Sequence, residues 1–100
     1  MHLAWDPRKD RVNRKKHGLS FDPAAALFRR DDLCLEFFDE EHSEQEERFI
    51  AIGPIADGIV VVVFTESDDN VLRILSARWA TSRERRRYEE FKAKHGRRRS

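Results

Sequence analysis

The sequence has few of the residues that disulfide, metal and nucleotide sites require. Its single cysteine, Cys34, excludes a disulfide framework and a thiolate metal site. The four histidines share no metal-ligand spacing, and the four glycines are scattered rather than grouped in a phosphate-binding loop. We therefore expect neither a metal ion nor a cofactor.

Long apolar runs are missing as well. No stretch approaches the roughly 18 consecutive apolar residues of a membrane helix, and the first ten residues, MHLAWDPRKD, lack the apolar segment of a signal peptide. With only one cysteine, the chain is expected to be cytoplasmic and without membrane contact. Its length suits one small domain, which we place at residues 1–94, before a basic tail at 95–100 that we expect to be disordered.

Charged residues are abundant, and their signs are separated along the chain. They make up 39% of the sequence, yet the net charge is only +1. Residues 1–30 carry a net +5, residues 31–69 a net −12 and residues 78–100 a net +7. Two basic ends around an acidic middle predict oppositely charged faces, each able to meet a charged partner. The alternative is that a short, highly charged protein simply covers its surface with charge.

Two helices are predicted before residue 30. The first spans Pro7–His17, beginning at proline and ending before Gly18, which can adopt positive φ. The second begins at Pro23 after an Asp22 cap and runs to Arg29. Because Val12 is the only aliphatic residue of the first helix, we expect that helix to be held by its ends or by a partner.

Four strands and a last helix follow. The strands are predicted at Leu33–Phe38, Glu47–Gly53, Gly58–Glu66 and Val71–Arg78. Connections of hairpin length predict that the last three strands form an antiparallel meander, with the third strand covered on both faces. Thr81–Glu84 matches a capping box that opens a helix to about Lys94. The fold class is α+β, with two N-terminal helices, a four-stranded antiparallel sheet and a C-terminal helix.

Phosphodiester cleavage without a metal needs only residue types that this chain has. RNA supplies its own nucleophile, the 2′-hydroxyl group, so the protein must bind the phosphate, neutralise charge and exchange protons. In the predicted meander, the start of the second strand lies near the end of the fourth, which brings Arg48 towards Arg78. His42 and Glu46 lie just before that second strand. The alternative is that Glu46 or Glu47 forms a structural ion pair with one of these arginines.

The arginines of the last helix have an ordinary explanation. Arg85, Arg86 and Arg87 stand at i,i+3 and i,i+4 spacing from glutamates, which predicts a solvated, glutamate-paired face. Arg83 differs, because a cation in the first turn of a helix opposes the helix dipole. Its position indicates that it binds an anion.

Three blocks of this sequence together resemble the BrnT family, the toxin halves of type II toxin–antitoxin pairs. They are WDPRKDRVNRKKHGLSFDPA, DEEHSEQEERFIAIG and RILSARWATSRERRRYEE, which occur in the family's order and cover most of residues 5–90. The resemblance implies a RelE-like fold and a ribonuclease activity that blocks translation. It also implies a BrnA-type antitoxin with a ribbon-helix-helix part. The pair would repress its own promoter, with DNA contacted mainly through the antitoxin.

The resemblance also implies roles for the matching positions. Arg48 and Arg78 are expected to contact the phosphate and the transition state, and His42 or Glu46 to carry the proton. The remaining positions are expected to contact RNA, with the tyrosine stacking on a base or bonding to a phosphate: Lys16, His17, Arg83 and Tyr88.

Two other functions remain open at this point. One is a noncatalytic interaction module whose charged faces bind an antitoxin or another protein. The other is direct DNA binding by the basic last helix. We rank DNA binding low, because Tyr88 and Phe91 are needed to dock that helix and a net charge near zero predicts weak affinity for DNA. Cleavage of RNA by the purified protein separates the ribonuclease from the noncatalytic module.

Overall fold

In a computed structural model, the described residues are 1–29, 33–42, 44 and 46–96. They form a five-stranded sheet, three α-helices and one short 3-10 helix. In chain order these are β1 His2–Trp5, α1 Pro7–His17, α2 Phe21–Arg29, β2 Leu35–Phe38, a 3-10 helix Glu40–His42, β3 Phe49–Ile55, β4 Gly58–Glu66, β5 Val71–Trp79 and α3 Ser82–Gly96. No helix among these residues is long and apolar enough to cross a membrane.

The sheet has the strand order β1-β5-β4-β3-β2. Strands β2 to β5 pair antiparallel, which confirms the predicted meander. The prediction of a four-stranded, wholly antiparallel sheet is wrong, because β1 adds a fifth strand parallel to β5, with Trp5 opposite Ile74. Four residues without a hairpin turn give no strand signal of their own, and their partner lies about 70 positions away along the chain.

Several predicted boundaries shift by one to three residues. Strand β3 starts at Phe49 rather than Glu47 and continues through Pro54 to Ile55. Helix α2 starts at Phe21, so Asp22 lies in its first turn and is not the cap that we predicted. The backbone N–H group of Phe21 instead donates to the Asp10 carboxylate at 2.8 Å, which ties the start of α2 to α1.

The sheet carries a hydrophobic core on each face. Helix α2 packs with Phe21 and Leu27 on one face, against a cluster that includes Val62 and Phe64 of β4. On the other face, which we call the α3 face, Tyr88 packs against Ile52 and Val61. Strand β4 is therefore central and covered on both faces, as its unbroken apolar run predicted.

Helix α1 is attached to the sheet through a polar residue. Val12 is 64% exposed, whereas Asn13 is buried. The Asn13 amide donates to the carbonyl oxygens of Leu19 at 2.8 Å and Ala77 at 2.7 Å, and it accepts the Ala77 N–H group at 3.1 Å. Because β1 stops opposite Ile74, the Asn13 side chain completes the hydrogen bonding of β5 beyond the end of that strand. This explains how so polar a helix docks.

Helix α3 begins at the predicted capping box. The Thr81 hydroxyl accepts the Glu84 N–H group at 3.2 Å, and the Glu84 carboxylate accepts the Thr81 N–H group at 2.9 Å. The helix extends to Gly96, two residues beyond the predicted end near Lys94. The remainder of the predicted tail, residues 97–100, lies outside the described residues.

Candidate functional site

Helix α3 covers only part of its sheet face. Ile50 and Val63, which pair across β3 and β4, are half-buried beyond the core that Tyr88 covers. Above them lies a concavity of about 450 Å³, which we call the sheet depression. It is bounded by β2, the 3-10 helix, β3, β4, β5 and α3, and its lining includes Phe37, Phe38, His42, Arg78, Glu84 and Arg87.

Two further concavities adjoin the sheet depression. The Arg48 depression, of about 290 Å³, shares His42, Asp39 and Val63 with it and also contains Arg48. The α1 groove, of about 510 Å³, shares Lys9, Leu75 and Ser76 with the Arg48 depression. The three form one continuous surface across the sheet edge and along α1. A β-bulge helps to shape it, because Val63 pairs with Ser76 and Phe64 with Ile74, so Leu75 has no partner in β4.

His42 stands at the junction of the first two concavities and is oriented by Asp39. Its ring Nδ1 atom lies 3.1 Å and 3.3 Å from the two oxygens of the buried Asp39 carboxylate. The backbone N–H group of Asp39 donates to the Arg48 carbonyl oxygen at 2.8 Å, which ties this segment to the chain just before β3. The His42 side chain is 64% exposed, so its Nε2 atom is the ring nitrogen available to a ligand.

Asp39 was missed by the sequence reasoning. A 3-10 helix repeats every three residues and therefore places positions 39 and 42 on the same side. The sequence does not indicate this helix, however, because its three residues, Glu40–His42, are too few for a periodic pattern.

Arg48 lies beside His42 in the Arg48 depression. Its Nη2 atom is 3.7 Å from the Glu46 carboxylate, and both side chains are partly exposed. The predicted alternative of a Glu46–Arg48 ion pair is therefore present, but a long and solvated pair of this kind contributes little stability. Glu46 also lines a smaller concavity of about 270 Å³ with His42 and Arg48, so the structure brings these three predicted residues together.

Arg78 forms the tightest ion pair of the site, with Glu84. Its Nη1 and Nη2 atoms donate to the two carboxylate oxygens at 2.7 Å each. This fork, with the N–H group of Thr81, lowers the pKa of Glu84 to about 2, and the same pairing raises the pKa of Arg78. The partner of Arg78 is therefore Glu84, not Glu46 or Glu47. Because the capping box holds Glu84, the start of α3 positions the site arginine.

Arg87 is exposed, as predicted, and it also contacts an aromatic ring. Its guanidinium carbon lies 4.3 Å from the centre of the Phe37 ring, a cation–π contact at the rim of the sheet depression. The periodic charge pattern does not reveal this contact, because the ring comes from β2, some 50 residues earlier in the chain.

The remaining predicted RNA contacts separate into three groups. Lys16 and His17 line the α1 groove, next to Lys9. Arg83 is exposed on the first turn of α3, outside the three concavities. Tyr88 lies apart from these residues, because its side chain is buried in the core and its hydroxyl group donates to the Leu33 carbonyl oxygen at 2.7 Å.

The family model for the ribonuclease toxin BrnT of type II toxin–antitoxin systems matches residues 5–84. The chain belongs to this family. It is also similar to the 1.1 Å crystal structure of the Brucella abortus ribonuclease toxin, BrnT. The TM-score is 0.63 and the identity 27%, over 82% of this chain and 99% of that one. No curated protein matches the chain.

Membership of the BrnT family establishes the general function: this is a ribonuclease toxin of the type II class, whose members work with an antitoxin. The family match contains the His42–Asp39 pair, both arginines that line the junction, and Glu84. It ends before Arg87, which belongs to the part of α3 beyond the match. Within the described residues, no group of three or more His, Cys, Asp or Glu is placed to hold a metal ion.

Proposed function

We propose that this BrnT-family protein cleaves RNA at the junction of the sheet depression and the Arg48 depression, without a metal ion. One observation carries the proposal. His42 is held by a buried carboxylate at the junction, with Arg48 in the concavity on one side and Arg78 in the concavity on the other. This arrangement supplies a proton acceptor and cationic donors around the place where a phosphate would bind.

In the proposed reaction, neutral His42 accepts the proton of the RNA 2′-hydroxyl group at its Nε2 atom. The 2′-oxygen attacks the adjacent phosphorus, and the bond from phosphorus to the 5′-oxygen breaks. The leaving oxygen takes a proton from a water molecule that the open depression admits, and the remaining hydroxide takes the proton from the His42 imidazolium, which returns His42 to its neutral form. The products are a 2′,3′-cyclic phosphate end and a 5′-hydroxyl end. Asp39 keeps the ring oriented and stabilises the imidazolium that forms.

The two arginines have different parts in this proposal. Arg48, which lies beside His42 in the Arg48 depression, supplies positive charge to the phosphate. Glu84 neutralises the charge of Arg78, so Arg78 acts mainly by donating hydrogen bonds in a fixed direction. A guanidinium carries five N–H groups; Glu84 accepts two of them and the Trp79 carbonyl oxygen a third, at 3.4 Å, which leaves donors for a phosphate oxygen.

Glu46 and the basic residues of α1 complete the proposal. We assign the proton transfer to His42 rather than Glu46, because only the histidine is oriented by a buried partner, whereas the Glu46 side chain is 52% exposed beside Arg48. Lys16 and His17 bind the phosphates of RNA that runs along the α1 groove, where Lys9 connects the groove to the Arg48 depression. Arg83 contributes only as a peripheral cation.

The partner proposal extends what the type II class implies. We propose a BrnA-type antitoxin with a ribbon-helix-helix part that neutralises the toxin in the cytoplasm and represses the shared promoter together with it. The separated acidic and basic segments of the chain support a protein partner of complementary charge. Co-expression of such an antitoxin should restore growth, and binding of promoter DNA should require it. DNA binding by the toxin alone would contradict this part.

Cleavage of single-stranded RNA by the purified protein in excess EDTA tests the proposed chemistry. We expect EDTA to leave the rate unchanged, and the new ends to be 2′,3′-cyclic phosphates and 5′-hydroxyls. Replacing Arg48 with alanine should lower the rate by roughly a hundredfold or more, the scale of losing a transition-state donor. Abolition by EDTA would contradict metal independence. No cleavage under any condition would favour the noncatalytic module.

A further inference from the structure

We propose that the sheet depression is a nucleobase subsite, which takes one unstacked base of single-stranded RNA beside the scissile phosphate. The inference rests on the proposed function, since it places the base next to the phosphate bound at His42 and Arg48. It goes beyond that function by assigning a second site and the part of the substrate that fills it.

The floor of the depression is apolar and flat. Ile50 pairs with Val63, and Ile52 with Val61, so four aliphatic side chains form one contiguous patch on the α3 face. The outer pair is half-buried because α3 does not extend over it. Such a floor favours a flat apolar face over a phosphate, and every nucleobase has one.

The rim supplies the remaining elements of a base site. Phe37, a half-buried residue of edge strand β2, lies on the α3 face and provides an aromatic ring at the β2 side of the depression. Arg87 lies across Phe37 at the α3 side. Cations at the edge of an apolar floor can stack on a base or donate to its oxygen and nitrogen acceptors.

Size and connection favour a base over the other candidate occupants. The volume of about 450 Å³ falls in the range of small-molecule sites, and residues of six elements line it, which suits one base better than the side of a helix. His42, Asp39 and Val63 line both this depression and the Arg48 depression. A nucleotide can therefore place its base in one concavity and its phosphate in the next. A duplex cannot, because its bases stay stacked.

A double-mutant cycle, which combines a substitution in the protein with a change in the RNA, tests the subsite. Single-turnover cleavage is measured on a short RNA in which one base at a time around the cut is replaced by an abasic site. At one position we expect a loss of roughly tenfold or more in kcat/KM, the scale of base stacking. Arg87→Ala should cause a similar loss on intact RNA and remove most of the abasic effect at that position, because both changes delete the same contact.

Arg86→Ala is the matched control, since it removes the same charge from an exposed neighbour that does not line the depression. Val63→Thr, which makes the floor more polar, should lower cleavage without loss of the fold. The proposal is overturned if no abasic position matters, or if the Arg87 and Arg86 variants behave alike. It is also overturned if the Arg87 variant loses only antitoxin binding, which would make the depression a protein-binding surface.

A binding measurement separates failure of the subsite from failure of the proposed function. Nucleoside monophosphates and ribose 5-phosphate are titrated into the wild-type protein, and backbone NMR shifts are followed at Ile50 and Ile52, which line the sheet depression but not the Arg48 depression. We expect shifts with the nucleotides and none with the sugar phosphate. Those shifts without any RNA cleavage would support the subsite while the ribonuclease proposal fails. Cleavage with no base-dependent shift would overturn the subsite alone.

Discussion

Glu84 performs two structural tasks through one carboxylate. It accepts the Thr81 N–H group of the α3 cap and both Nη donors of Arg78. The pKa of Glu84 is about 2 in the folded protein, below its ordinary value of 4.5. Because the folded pKa is depressed, the pair stabilises the protein above pH 4.5, and this contribution is lost as the pH falls towards 2.

Glu84→Gln should therefore change both stability and its pH dependence. Glutamine keeps the capping geometry but loses the charge. We expect the free energy of unfolding at pH 7 to fall by about 1–2 kcal/mol. This lies between the stability contributions of a solvated ion pair and of a buried, charged hydrogen bond. Between pH 4.5 and 2 the variant should lose less stability than the wild type. Urea unfolding at several pH values measures both effects.

Thr81→Ala provides the control for this substitution. It removes the cap hydroxyl at a cost of about 1 kcal/mol and leaves the Arg78 fork in place. The pH dependence between 4.5 and 2 should then stay close to that of the wild type, because the Thr81 side chain is the smallest of the contributions that lower the pKa of Glu84. Equal pH dependence of the Glu84→Gln variant and the wild type would contradict the assigned role of the ion pair.

Residue types were easier to predict than their partners. His42, Arg48 and Arg78 could be selected because cations and proton carriers near strand ends are visible in the sequence. The residues that orient them, Asp39 and Glu84, could be recognised only in the fold. Tyr88 was expected to dock α3 from the sequence and to contact RNA from the family resemblance, and its burial in the core confirms the docking role.

At the scale of whole elements, α1 depends on one side chain for its attachment to β5. Asn13 forms three hydrogen bonds, two with the backbone of Ala77 and one with the Leu19 carbonyl oxygen. Its role could not be read from the sequence, because hydrophobic periodicity reveals only apolar contact faces, and this helix has none. Strand β1 was missed for a similar reason, because it pairs with β5, which is distant along the chain.

Asn13→Ala should destabilise the protein by about 2–4 kcal/mol, because buried N–H and C=O groups on β5 and before α2 would lose their partners. Val12→Ala, at the exposed neighbouring position, should change the free energy of unfolding by no more than about 0.5 kcal/mol. Chemical denaturation of the two variants makes the comparison. Similar stabilities would show that α1 is held by other contacts.

At the scale of the whole molecule, the two faces of the sheet differ: one is covered by the core, and the other carries the candidate site. Helix α2 fills the core on one face, and α3 covers the other face only in part, leaving the floor of the sheet depression accessible. The α+β class, the meander and the helix positions were predictable because hydrophobic period and caps are local signals. The concavities were not predictable, since their walls come from segments far apart in the chain and a β-bulge leaves Leu75 without a partner in β4.

The central claim is that His42, oriented by Asp39, carries the proton in RNA cleavage. The most direct measurement is the single-turnover rate of RNA cleavage by His42→Gln in EDTA, compared with His2→Gln, the same change at the exposed first residue of β1. With both variants folded, we predict a loss of roughly 10²- to 10⁴-fold for the first, the scale of general acid–base catalysis, and a wild-type rate for the second. A His42→Gln variant that is folded and cleaves RNA at the wild-type rate would contradict the claim.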